Sequence, residues 1–345
     1  MSTFKTIPES TLPLRVVLVG AGSMGRAWMR TITESPDAEL VGVVDLDENF
    51  VLSSLAEAGL TGIAVGTSLS EVAARTSAQA VVNVTSPAAH LPVSVEALRS
   101  GLPVLCEKPL AENVEQASVM AGTAAECGQL LMVGQNRRFK DGIRELREHV
   151  GRLGEVGSLA VEFFKAVHFP GFREEMDHVL LLDMAIHHFD AARFVLDSDP
   201  VAVYCRESNP EWSWFAHGAN ATAVFEFENG ATFTYSGSWC SPGKETSWNA
   251  HWRINGANGV ALWDGDGSPE VEYEGAGEPL GLVAQPEDLA GVLAEFVKSL
   301  RTGETPATEA HSNILSLAMV EAAIKSAETG LRVTIADVLA AGSTP

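Results

Sequence analysis

Short apolar runs rich in β-branched residues alternate with stretches of helical spacing through the first third of the chain. Residues 14–20 form such a run and end in glycine, and 23–34 continue with apolar positions at helical intervals. Residues 40–45 again read as a strand and 48–58 as a helix. Three more strand candidates follow at 80–84, 103–108 and 130–134, with helical patterns at 90–99 and 114–126 between them. Apolar runs this short, separated by helices, imply a parallel sheet buried on both faces.

The pattern changes after about Arg138. Residues 156–167, 201–206, 221–227, 231–239 and 248–255 look like consecutive strands, and Glu228-Asn229-Gly230 is a hairpin signal between two of them. Helical patterns remain at 180–196, 288–300 and 312–328. The reading is two domains, 1–136 and 137–345. The first is α/β; the second is α+β with a large, mostly antiparallel open sheet, and its C-terminal segment is placed to pack back on the first. Residues 265–279, rich in Gly, Pro and Glu, read as a surface excursion.

Charge narrows the partners. The net charge is −22 and no stretch is densely basic, so a polyanion meets repulsion and nucleic acid is excluded as a partner. No apolar run approaches the roughly 20 residues that span a bilayer, so no membrane partner is expected. Residues 1–13 lack the basic-then-apolar order of a secretory signal, which points to the cytoplasm. Cys106, Cys127, Cys205 and Cys240 lie far apart and fit neither a disulfide framework nor a zinc site, and no metal is expected.

Gly20-Ala21-Gly22-Ser23-Met24-Gly25 is a G-x-G-x-x-G that leaves a strand and opens a helix. The first glycine makes the tight turn, the second lets a pyrophosphate approach the backbone, and the third lets helix and strand pack closely. The helix N-terminus, with Ser23 and Met24, then offers N–H groups to the phosphates. This is a dinucleotide-binding domain of the Rossmann type. Asp45 ends the second strand, where a carboxylate accepts hydrogen bonds from a ribose and repels a 2′-phosphate. Leu46, Asp47 and Glu48 offer no welcome to that phosphate, so NAD is expected and NADP is disfavoured. A structural loop acid is the alternative role for Asp45.

Four further segments carry a resemblance. They are Asn83-Val84-Thr85-Ser86-Pro87-Ala88-Ala89-His90, Cys106-Glu107-Lys108-Pro109, Gln135-Asn136-Arg137-Arg138-Phe139 and Asp183-Met184-Ala185-Ile186-His187-His188-Phe189-Asp190. Together with the glycine motif they resemble the Gfo/Idh/MocA family, which includes glucose–fructose oxidoreductase and inositol 2-dehydrogenase. The resemblance spans nearly the whole chain, and 313–335 is similar to the family's closing helix and strand.

Lys108 falls at the C-terminal end of a strand, the edge where open parallel sheets bind ligands. Asp183, His187 and Asp190 are spaced i, i+4 and i+7 along one face of an otherwise apolar helix, as in the wall of a cleft. The alternative is a buried His–Asp pair that only holds the domain together. The resemblance implies that Lys108, Asp183 and His187 are catalytic and that the Lys108–Pro109 bond is cis. Asp190 reads as structural, and His188 points away from the stripe. Histidine suits proton transfer near neutral pH, and a neighbouring carboxylate orients it. Either Lys108 or His187 is the direct base.

By the same resemblance, Thr85, Ser86, Pro87 and His90 lie along the nicotinamide half of the cofactor, beside Glu107 and Lys108. Asn136, Arg137 or Arg138, Lys165 and His168 are candidates for the substrate pocket. The expected activity is NAD-dependent oxidation of a secondary alcohol of a sugar, cyclitol or related polyol. Two alternatives stay open: a tightly held NAD used transiently, as in aldose oxidoreductases and NAD-dependent glycosidases, or a dinucleotide-binding regulator without turnover. Trp212, Trp214, Trp239, Trp248 and Trp252 read as core or interface residues. Phe163, Phe225, Phe227 and Phe233 are read as an uncovered apolar sheet face, which predicts a homodimer or a tetramer of such dimers.

Overall fold

A computed structural model of the chain describes residues 3–8, 12–273 and 284–342. They fall into two compact units: Met1–Asn136 with Pro286–Ile314, and Arg137–Gln285 with Leu315–Pro345. Residues 286–314 thus group with the first unit.

In the first unit the strands are β1 (Leu14–Val19), β2 (Ala38–Val44), β3 (Ala64–Gly66), β4 (Ala80–Asn83), β5 (Val104–Cys106) and β6 (Leu131–Val133). All pair in parallel, in the order β3-β2-β1-β4-β5-β6. The strand order reverses between β1 and β4, and the crevice at that switch point is where such sheets bind ligands. The helices are α1 (Ser23–Glu34), α2 (Glu48–Glu57), α3 (Leu69–Thr76), α4 (Pro87–Arg99) and α5 (Val114–Cys127). Their ends follow from local chemistry: Asp47, Ser68 and Asn113 accept from backbone N–H groups at the starts of α2, α3 and α5. Gly128 then stops α5 in the left-handed region.

The second unit starts with α6 (Asp141–Val150) and β7 (Val156–Phe164). A π-helical turn, Leu180–Ala185, runs directly into α7 (Ile186–Leu196). Then come β8 (Pro200–Ser208), β9 (Asn220–Phe227), β10 (Thr232–Ser238), β11 (His251–Gly256), β12 (Gly259–Trp263) and β13 (Glu270–Tyr273). The chain next supplies α8 (Asp288–Thr302) to the first unit. It returns through α9 (Ala310–Thr329) to β14 (Val333–Thr334) and α10 (Ile335–Gly342). The sheet order is β13-β12-β11-β7-β10-β9-β8-β14, with β7 and β10 parallel and the other named pairs antiparallel. Helix α7 covers one face. Its Phe189 ring meets Phe225 at 4.7 Å, Tyr235 at 5.2 Å and Phe233 at 6.0 Å between centroids. Burying one such ring contributes about 1.5–3 kcal/mol.

That packing overturns one expectation. Phe163, Phe225, Phe227 and Phe233 are buried inside the unit, and the exposed face carries Tyr204, Thr222, Val224, Glu226 and Thr234 instead. Alternation tells which residues share a face, not which face a helix will cover. Trp212 is likewise exposed, whereas Trp239 and Trp252 are core. Strand β13 lies within the stretch read as a surface excursion, of which 274–279 fall outside the described residues. Strands β3 and β12 and helices α3, α6 and α10 carried no signal that sequence reading picked up, whereas α9 and β14 fall in the stretch 313–335 expected to hold a closing helix and strand. Strand β7 stops at Phe164 and β11 starts at His251, each inside the longer run expected.

Candidate active site

The glycine loop of the first unit has the geometry its motif requires. Gly20 sits at φ +103°, where a Cβ would lie 2.8 Å from the Val84 carbonyl oxygen. A Cβ on Gly25 would collide with the Gly20 carbonyl, so α1 and β1 approach as closely as backbone allows. At Gly22 a Cβ would meet nothing within 4 Å. Gly22 also N-caps α1 without any side-chain hydrogen bond, so the first turn, with Ser23 and Met24, has its N–H groups uncapped. Open space in front of an uncapped helix N-terminus is what a pyrophosphate would fill.

Asp45 closes this loop. Its Oδ2 accepts from the Ala21 N–H at 2.7 Å and its Oδ1 from the Leu46 N–H at 2.7 Å. A carboxylate has about four acceptor sites, so these two bonds leave room for ribose hydroxyls. The residues present fit an adenine dinucleotide: Gly22 and the α1 N-terminus for its phosphates, Asp45 for a ribose.

After β4, Asn83 Oδ1 accepts from the Thr85 hydroxyl at 2.7 Å, and α4 begins with Ser86 as N-cap and Pro87 in its first turn. His90 lies beneath, 1% exposed, with Nδ1 at 2.8 Å from the Pro109 carbonyl and Nε2 at 3.1 Å from the Thr85 carbonyl. Burial holds its pKa below the usual histidine range. Both ring nitrogens face backbone, so His90 braces the Thr85 turn against the Lys108–Pro109 turn. Glu107 is a second brace. Its Oε1 accepts from the Trp28 indole at 2.8 Å and its Oε2 from the Lys108 N–H at 3.0 Å, and burial pushes its pKa up. Lys108 follows β5 at the C-terminal edge, half-buried, and its bond to Pro109 is cis. Asn136 donates through Nδ2 to Asp288 at 3.0 Å, within this unit.

In the second unit the π-turn carries Asp183 and α7 carries His187, His188 and Asp190. Such widened turns concentrate at functional sites. Asp183 Oδ2 accepts from Arg173 Nε at 2.6 Å, whereas Asp190 is fully buried against Arg138. The two carboxylates of the sequence stripe therefore serve different guanidiniums, and Asp190 is structural. His187 is 7% exposed. His188 packs against Phe163 and Tyr235, and burial beside Arg137 pushes its pKa down to about 3, so it stays neutral. Arg137 donates to Asn249. Lys165 pairs with Glu245 at 2.9 Å and lies 5.1 Å from the Trp248 ring, and His168 stacks on Trp214. Arg173 was not anticipated: it sits in an irregular segment, and only its spatial contact with Asp183 reveals it.

Comparison with known proteins agrees with this geometry. The oxidoreductase family with an NAD-binding Rossmann fold, GFO/IDH/MocA, matches residues 14–135, and the GFO/IDH/MocA C-terminal domain matches 143–262. The chain is 34% identical to inositol 2-dehydrogenase 4 of Saccharopolyspora erythraea, over 57% of this chain and 58% of that protein. It is 26% identical to 1,5-anhydro-D-fructose reductase of Ensifer adhaerens, over 91% of this chain and 96% of that one. An Agrobacterium radiobacter oxidoreductase, solved with NAD+, L-tartaric acid and magnesium, superposes with a TM-score of 0.82 at 22% identity, over 94% and 99% of the two chains. Glycine loop, parallel sheet and open second sheet thus lead to one conclusion: the chain belongs to the GFO/IDH/MocA family of NAD(P)-dependent oxidoreductases.

Proposed function

We propose that the protein uses NAD, in preference to NADP, to oxidise a secondary alcohol of a sugar, cyclitol or related polyol. The observation that carries this reading is the pairing of an open Gly22 with Asp45: the loop has room for a pyrophosphate, and the acid beside it favours a free ribose over a phosphorylated one. When bound, the nicotinamide accepts a hydride from the alcohol carbon. His187 or Lys108 takes the hydroxyl proton as the C–H bond breaks and the carbonyl forms. Lys108 also stabilises negative charge that develops on that oxygen. Asp183, held by Arg173, orients the imidazole or a substrate hydroxyl. Assigning Lys108, Asp183 and His187 to one reacting carbon rests on the family resemblance of their segments.

A panel of polyols and sugars, followed by reduced-nicotinamide absorbance with NAD and NADP, tests the reading. Reduction of NAD by at least one polyol is the expected result, and none across the panel would overturn it. The four cysteines are free, which suits a cytoplasmic setting. Pairing of the exposed sheet face around Tyr204 and Val224 with its copy would make a homodimer, or a tetramer of such dimers. Light scattering that returned the mass of one chain would refute that assembly.

A further inference from the structure

We propose that the second unit carries a carboxylate-reading subsite built on Arg173, Trp214 and Trp239, so that the alcohol oxidised belongs to a polyhydroxy acid rather than a neutral polyol. This rests on the reading of Asp183 as a substrate-facing group. Arg173 spends one donor on it: Nε reaches Asp183 Oδ2 at 2.6 Å. Its terminal amines, Nη1 and Nη2, make no hydrogen bond among the described residues, although the side chain is two-thirds covered. Phe172 and Phe169 flank the guanidinium, with centroids 4.8 Å and 5.7 Å from Cζ.

Phe169 continues the array, 5.8 Å from Trp239 and 6.1 Å from Trp248. Phe215 joins Trp239 at 5.6 Å to Trp214 at 5.5 Å, and the Ala216 N–H donates to the Glu174 carbonyl, tying this stretch to the Arg173 segment. Within that array the indole N–H groups of Trp214 and Trp239 are buried and have no acceptor among the described residues. Buried N–H groups are rarely left so.

The chemistry is one-sided. Guanidinium and indole can only donate. A hydroxyl brings a hydrogen of its own, whereas a carboxylate only accepts and matches the planar fork of an arginine. Aromatic faces alongside suit the C–H edges of a carbon chain. The carboxylate keeps its charge and bonds throughout. Oxidation still converts CH–OH to C=O, with the hydride passing to NAD and the proton to the protein's base.

The test compares gluconate with glucitol, and glucuronate with glucose, by NAD reduction, with glucitol 6-phosphate as a third arm. Each acid should exceed its neutral partner by ~100-fold or more in kcat/KM. Arg173→Gln should bring that ratio close to one, any loss of turnover through its Asp183 contact falling on acid and neutral partner alike, with Arg173→Lys intermediate because it keeps charge without the fork. Tryptophan fluorescence, titrated with gluconate, should saturate in the wild type and not in Arg173→Gln or Trp214→Phe. Equal use of acids and polyols, a preference for the phosphate, or an unchanged ratio in Arg173→Gln would overturn the proposal and leave the dehydrogenase reading intact. If nothing in the panel reduces NAD, that wider reading fails. The fluorescence titration then decides the subsite alone: saturation dependent on Arg173 supports it, and its absence refutes it.

Discussion

Arg138 and Asp190 form a buried fork, with Nε to Oδ2 at 2.6 Å and Nη2 to Oδ1 at 2.7 Å. The Ser316 hydroxyl donates to the same Oδ1 at 2.6 Å and itself accepts from Arg193. This network ties α7 to the chain entering the unit and to α9. Removing one partner leaves the other's buried charge without the opposite charge across the fork. Asp190→Asn or Arg138→Met should therefore lower unfolding free energy by about 3–5 kcal/mol, read from urea melts followed by circular dichroism. A loss under ~1 kcal/mol would show that the fork contributes little.

Two glycines of one motif should behave differently. Gly25→Ala forces a methyl into the Gly20 carbonyl and should cost about 1–3 kcal/mol of stability. Gly22→Ala places its methyl in open space, so the melting temperature should hold while NAD affinity falls ~10-fold or more. Calorimetric titration with NAD beside a thermal melt checks both. Undiminished NAD affinity in Gly22→Ala would remove the pyrophosphate from this loop.

Asp45 joins loop geometry to cofactor choice. We expect kcat/KM for NAD to exceed that for NADP by ~10-fold or more, since repulsion of a 2′-phosphate and a lost ribose contact together should pass about 1.4 kcal/mol. Asp45→Ala should narrow the gap and also weaken NAD, because the Ala21 N–H loses its acceptor. Equal use of both cofactors by the wild type would contradict this role.

His187→Ala and Lys108→Ala should each lower kcat by ~100-fold or more while NAD still binds. Near-normal turnover in either variant would end that residue's assignment. Loss of NAD binding in both would make their effect structural.

His178 offers a pH test. Its ring Nδ1–H donates to Glu207 Oε2 at 2.5 Å, and this hydrogen bond raises its pKa above the usual histidine value. Glu328 and Asp177 also face it. A raised folded-state pKa means that the stabilisation is fully present below the unfolded value of ~6.5 and is lost as pH rises through the folded one. The wild type should therefore lose its margin over His178→Gln between mildly acidic and mildly alkaline pH. Parallel melting curves for the two proteins across that range would dismiss the pair.

The parallel first unit was legible because its signals are local: a strand, a glycine loop and a helix at its start, then strands and helices alternating down the chain. The open sheet of the second unit was legible too, through alternation and the Asn229-Gly230 turn. What stayed hidden depends on distance in sequence. Arg173 reaches Asp183 and His178 reaches Glu207 across irregular backbone that leaves no periodic trace. The faces of the phenylalanines were misread for the same reason, since only the placement of α7 decides which side is dry. His90 and Glu107 were visible as motif residues, but their bracing contacts with Pro109 and Trp28 were not.

The first unit is stitched from two stretches of chain, and this matters while the protein is being made. Helix α8 packs on α1, and the edge strand β6 is met by Thr308 and Glu309. A ribosome releases Met1–Asn136 first and supplies Pro286–Ile314 roughly 10–30 s later at bacterial or eukaryotic elongation rates. Over that interval the nascent sheet has an open flank of the kind that recruits neighbouring strands. The dinucleotide unit is the first to be translated, yet it is complete only once residue 314 has been made, so β6 keeps an open edge until Thr308 and Glu309 arrive.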